Sequence, residues 1–130
     1  PGEIGKMATG AWMAAAANVL LVLASLPGGR VSGIFPVVYD VTLGIAFLYY
    51  WPTLLALVSH AAPTRLKSTM MGVAYLSLFI GNLIVGRLGS LYESLGPASF
   101  WMIHAAIAAT GAVLCMLLAR PLGKVLAAPA

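Results

Sequence analysis

Long charge-free runs, each closed by a cluster of Pro, Gly and charge, set the pattern of this chain. Met7–Gly29, Val41–Thr64, Ser68–Gly86 and Ser94–Ala119 contain no Asp, Glu, Lys or Arg. An α-helix needs about 20 apolar residues to cross a hydrocarbon layer of about 30 Å, and each run is close to that length. Four such runs are more than a water-soluble core uses. Apolar and polar residues do not alternate with a period of two, so a β-barrel is disfavoured. Helices are the remaining way to hide backbone N–H and C=O groups in lipid.

The pattern predicts an all-α membrane protein of about four transmembrane helices. The first covers residues 5–26 and stops at Leu26-Pro27-Gly28-Gly29, where Pro lacks a donor and Gly loosens the backbone. The second covers 35–61. Pro36 suits its first turn, and Pro52 in mid-span predicts a kink or local unwinding. A short turn around Pro63 leads to the third, 65–92. Gly96-Pro97 introduces the fourth, 99–119, which is expected to end at Arg120-Pro121. Residues 120–130 read as an interfacial or frayed tail. The first residue is Pro1, and the expectation is a piece of a longer polypeptide.

Composition sharpens this picture. Hydrophobic residues make up 62% of the 130 and charged residues only 8%, against about 25% charged in a soluble domain. The net charge of +4 does not point to nucleic acid, because the seven basic residues are scattered and sit at helix ends. They carry topology instead. Lys6, Arg65, Lys67, Arg120 and Lys124 fall on one side of a four-span chain, and Arg30 and Arg87 on the other. The majority side is expected to be cytoplasmic, with both ends of the chain inside. Cys115 is alone, which excludes an intrachain disulfide and reads as packing. No His, Cys and carboxylate group has metal-ligand spacing, and no catalytic motif is visible, so no enzyme, metal or cofactor is expected.

Small residues at four-residue spacing let membrane helices approach closely. Gly10, Ala14 and Asn18 do this in the first helix, Gly72, Gly81, Gly86 and Ser90 mark the third, and Ala108 and Ala112 mark the fourth. Asn18 and Asn82 are expected to make interhelical hydrogen bonds, worth about 0.6 kcal/mol each on average in membranes.

The stretch Ser59-His-Ala-Ala-Pro-Thr-Arg-Leu-Lys-Ser-Thr-Met-Met-Gly72, followed by Gly81-Asn82 and Gly86, resembles the proton-dependent oligopeptide transporter family of the major facilitator superfamily. Lys6 and Gly10 are similar to the start of that family's ninth helix, and Phe100-Trp101 with its Ala-rich sequel to the twelfth. The resemblance implies helices nine to twelve of a helical bundle working by alternating access. It implies proton-coupled uptake of di- or tripeptides, driven by the proton gradient without a cofactor. It also implies partners in the lipid bilayer, the remaining helices and a small solute. The implied location is a cell membrane, the bacterial inner membrane.

Three positions depart from the family's pattern. Phe47 stands where the family has a Glu five residues before the Pro, Trp51 where it has a Ser, and Ala74 where it has a Trp. Burying a peptide ammonium without its counter-charge costs several kcal/mol, so a bulkier, less basic or non-peptide solute is expected. Asp40, Phe47 and Trp51 are spaced by seven and eleven residues, which puts them on one helical face, with Tyr50 close by. Phe47, Tyr50, Trp51 and Ala74 are therefore the cavity candidates. Asp40 is the candidate for gating or proton linkage, since an ionisable group near a span is a functional candidate by default.

His60 and His104 read as helix-end or interface groups, and Arg65 and Lys67 as positive-inside anchors. Two other classes remain open on the sequence. One is a self-contained four-helix protein working as an oligomeric exporter. The other is a membrane subunit that transports nothing.

Overall fold

The computed structural model describes residues 2–126. The chain forms α1 (Glu3–Ser25), α2 (Ile34–Ala61), α3 (Lys67–Gly89), the single turn α4 (Tyr92–Leu95) and α5 (Pro97–Leu126). The described residues contain no strand. Four of these helices, α1, α2, α3 and α5, are long and apolar enough to cross a membrane. The protein is an all-α, multi-pass membrane protein.

The turns follow from their residues. After α1, Gly28 takes φ +67° and donates its N–H to the Ser25 carbonyl, a conformation that costs a residue with a Cβ atom. At the end of α4, Gly96 takes φ +77° and donates to the Tyr92 carbonyl. Pro97 then opens α5, where its missing N–H costs nothing. Between α2 and α3, Leu66 donates to the Pro63 carbonyl at 2.8 Å, which turns the chain within a few residues.

Helix bounds lie within two residues of the expected ones except at the C-terminal ends of the third and fourth spans. The third span ends at Gly89 rather than reaching 92, because Ser90 and Leu91 bond back to Arg87 and Leu88 in a tightened last turn. The helix of the fourth span begins at Pro97 and continues through Pro121 to Leu126. Proline removes one hydrogen bond but is tolerated in helices of membrane proteins. The expected tail is thus helical as far as Leu126, and its last residues, 127–130, lie outside the described part. Helix α2 is likewise continuous across Pro52.

Helix α1 is the centre of the arrangement, packed between α2 and α5. In its most apolar window 44% of residues are buried, against 6% for α2, 6% for α3 and 11% for α5. Most of the buried apolar positions are small, with Ile4, Met7, Leu21, Val22 and Phe100 as the larger ones. Ala8, Ala15, Ala17, Ala46, Ala74, Ala105 and Ala112 are inside, while Leu23, Leu48, Phe79, Leu83 and Leu117 are exposed. A water-soluble protein does the reverse. Lipid supplies the apolar partner for large side chains, and helices meet through the residues that let backbones close in.

Gly10 is where that approach is tightest. A Cβ atom placed there would lie 2.7 Å from the Ala46 carbonyl oxygen and 3.1 Å from the Tyr49 Cβ atom. On the other side of α1, the Trp12 indole N–H reaches the Met116 sulfur of α5 at 3.3 Å. Hydroxyl groups satisfy themselves within their own helix: Thr9 donates to Gly5, Ser25 to Leu21, Thr42 to Val38, Ser77 to Ala74 and Thr110 to Ala106. That is the expected economy where water is absent.

Candidate functional site

Helix α2 carries the aromatic candidates, and the structure divides them between two sides. Phe47 and Trp51, one turn apart, stack with ring centroids at 6.1 Å and planes 15° apart. Trp51 then meets the edge of Tyr75 on α3 at 5.4 Å and 74°. These three rings form a step from α2 to α3. Ala74, beside Tyr75, is the buried residue of α3, so its small side chain marks where α3 rests on α2. The Ala at this position, where the resembling family carries Trp, permits that contact.

Tyr50 does not join the step. Its backbone N lies against Gly10 of α1. One residue turns a helix by about 100°, since a turn takes 3.6 residues. Tyr50 and Trp51 therefore diverge, Tyr50 toward α1 and Trp51 toward α3. Asp40 is also apart from the step. It is exposed near the start of α2 and lines a cavity at the end of the bundle that holds the 26–33 and 90–96 connections.

That cavity has a volume of about 730 Å³. Leu21 and Ser25 of α1, Tyr39 and Asp40 of α2, Tyr92 of α4 and Trp101 of α5 are among its walls. The rings of Tyr39 and Trp101 bridge α2 and α5, with centroids 5.3 Å apart and planes 59° apart. Trp101 and Tyr92 are both held edge-on to Phe100, at 5.0 and 5.1 Å. His104 closes the cluster behind them: its ring lies 4.4 Å from Phe100, and Nδ1 is 3.0 Å from the Phe100 carbonyl. From the sequence His104 reads as an interface group, while Tyr39 and Tyr92 are assigned no role. The available signal was Tyr, Trp and His beside Gly-Pro turns, the placement of residues at a membrane–water boundary.

The remaining candidates fall elsewhere. Asn18 is buried in α1 with 5% exposure, but its Nδ2 donates to the Ala14 carbonyl of its own helix at 2.8 Å. Its Oδ1 has no partner. The expected interhelical bond is thus replaced by a bond one turn back. Gly72, Gly81 and Gly86 have nothing within 4 Å of a Cβ position, and Asn82 is exposed. They are open positions on more than one side of α3, since Gly72 and Gly81 are nine residues and so about 180° apart around the helix. His60 is exposed at the other end of α2 and shares a shallow depression with Glu3 and Leu57.

Comparison with models of known families, with curated proteins and with solved structures finds no match to this chain.

Proposed function

We propose that this chain supplies the last four helices of a proton-coupled secondary transporter for small peptides or a related solute, working by alternating access. The observation that supports this reading best is the aromatic step of Phe47, Trp51 and Tyr75 on α2 and α3. It sits beside the Pro-x-Arg turn and the Met-Met-Gly segment that carry the family resemblance. Substrate sites in such transporters lie near mid-membrane, between two sets of helices. An aromatic wall there suits a solute with an apolar or planar body.

The same wall argues for a particular kind of solute. It presents no carboxylate for a peptide's ammonium, because Phe47 occupies the position of the family's Glu. Binding would draw on ring contacts and apolar burial. A bulkier or less basic solute than a simple dipeptide fits those surfaces. Asp40 lies about two turns into α2, deeper in its helix than Glu3 is in α1, and it is assigned a gating or proton-linked role there.

Uptake into proteoliposomes made with the full product of the gene tests this directly. An inward proton gradient is expected to drive accumulation of a hydrophobic peptide or similar solute, and a protonophore to abolish it. Trp51→Ala is expected to raise the half-saturating concentration about tenfold, the worth of one lost ring contact of ~1.4 kcal/mol. Asp40→Asn is expected to change the pH dependence of uptake. Identical uptake at every pH removes Asp40 from the cycle, and flux without proton dependence removes the coupling itself.

A further inference from the structure

We infer that the cavity between the ends of α1, α2 and α5 is a binding site for an organic ammonium group, with Asp40 as counter-charge and Tyr39 and Trp101 as the aromatic walls. This inference does not rest on the transport reading. It concerns the opposite end of α2 from His60 and residues that the aromatic step does not use.

Charge is the first argument. Asp40 is the one ionised side chain among the residues that line the cavity. Arg30 lines an adjoining depression, with Leu23, Pro27 and Phe35, that shares Gly29 and Val31 with the cavity. The cavity is therefore negative, and an anion has no cationic partner in its walls.

Ring placement is the second argument. A cation is held by the faces of aromatic rings, Trp best of all, within about 6 Å of the ring centre. Tyr39 and Trp101 touch, with ring centroids 5.3 Å apart and planes inclined by 59°, so the pair is a joined aromatic wall rather than a parallel stack. Trp101 is fixed in that position by Phe100 and His104 behind it. Asp40 lines the same cavity as both rings. An acid beside an aromatic wall suits an alkylated or primary ammonium better than a bare metal ion, which wants several oxygen ligands.

Depth and size are the third. Helix α2 has 28 residues, about 42 Å at 1.5 Å per residue, against about 30 Å of hydrocarbon. Centred in the bilayer, it overhangs by roughly 6 Å at each end, and Asp40 lies about 9 Å from its start. That places the carboxylate close to the headgroup boundary. The volume of about 730 Å³ is within the range of small-molecule sites, so an amine larger than the ammonium alone fits. Two sources share this chemistry: the headgroup of a choline lipid and a free organic amine.

Fluorescence separates them. In the full product of the gene, replacing every tryptophan except Trp101 by Phe, Trp12 and Trp51 among them, leaves Trp101 as the reporter. In a non-ionic maltoside, choline chloride is expected to change Trp101 emission saturably, and sodium chloride at equal ionic strength is not. Asp40→Asn is expected to weaken the choline response about tenfold or more, as befits the loss of one charged partner. Asp40→Glu is expected to restore most of it, which shows that the variants fold. Tyr39→Leu is expected to weaken it further along the same series. In phosphatidylglycerol nanodiscs added choline should act as in detergent. If phosphatidylcholine nanodiscs already give the shifted emission and added choline changes nothing, the lipid headgroup is the ligand. If choline acts equally in both lipids, the free amine is. No saturable response to choline, with identical emission in the two lipids, overturns the inference. So does a response that Asp40→Asn leaves intact.

Discussion

Helices α1 and α3 have 23 residues each and nearly equal hydropathy, yet they live in different surroundings. In α1, 44% of the most apolar window is buried; in α3, 6% is. Both carry glycines within the span. Gly10 of α1 meets the backbone of α2, while Gly72, Gly81 and Gly86 of α3 meet nothing. The comparison separates two properties that one sequence encodes together. Hydropathy and length decide that a helix enters the membrane. The placement of small residues against a partner decides whether it packs once there. Helix α3 has the first property in full, and its glycines, spread around the helix, meet no partner among the described helices.

Substitutions at small residues should break or sharpen this contrast. The largest effect is expected at Gly10. Gly10→Leu forces α1 and α2 apart and should lower stability by about 2–3 kcal/mol, as overpacking does. Unfolding in mixed detergent, followed by circular dichroism, measures it. Gly81→Leu on the same chain should change little, and an equal loss at both sites would remove the contrast. Ala112 has 0% exposure, and Ala112→Leu should cost about 1–3 kcal/mol by the same measurement.

A smaller effect is expected at Asn18. Its one hydrogen bond returns to its own helix, and Oδ1 is left without a partner. Asn18→Ala should therefore stay within about 1 kcal/mol of the parent, because a lost bond and a removed orphan acceptor offset each other. A loss of several kcal/mol would mean that Asn18 bonds across helices after all. The smallest effect is expected for Gly72→Ala and Gly86→Ala. Each should leave stability unchanged or raise it by about 0.5 kcal/mol, since Ala is the better helix former.

The spans were legible because lipid imposes a local rule: a charge-free run of sufficient length marks a helix. Gly10 and Ala112 were legible as small residues at packing spacing, and both are at contacts. The same spacing also picked out Gly86 with Ser90, and Gly86 is open, as are Gly72 and Gly81. The spacing identifies a face able to pack and carries no information about which helix meets it. The stripe on α2 shows the limit most clearly. Phe47 and Trp51 do share a side, but Tyr50 turns to α1 and Asp40 to the end cavity. A helix that is apolar all round has no polar face to fix its rotation, so the neighbours decide it. The Tyr39–Trp101 pair joins residues from α2 and α5 that are far apart in sequence. No periodicity within either helix encodes that meeting.

The central claim is that lipid is the solvent of four crossing helices. Val19, Leu48, Phe79 and Leu114 are exposed side chains near the middle of α1, α2, α3 and α5. A nitroxide placed at each in turn, on a Cys115→Ala background in nanodiscs, reports whether oxygen or a water-soluble nickel chelate reaches it. All four are expected to be open to oxygen and closed to the chelate, with a label at Arg30 giving the opposite pattern. A mid-helix label that the chelate relaxes as strongly as the label at Arg30 would contradict the claim.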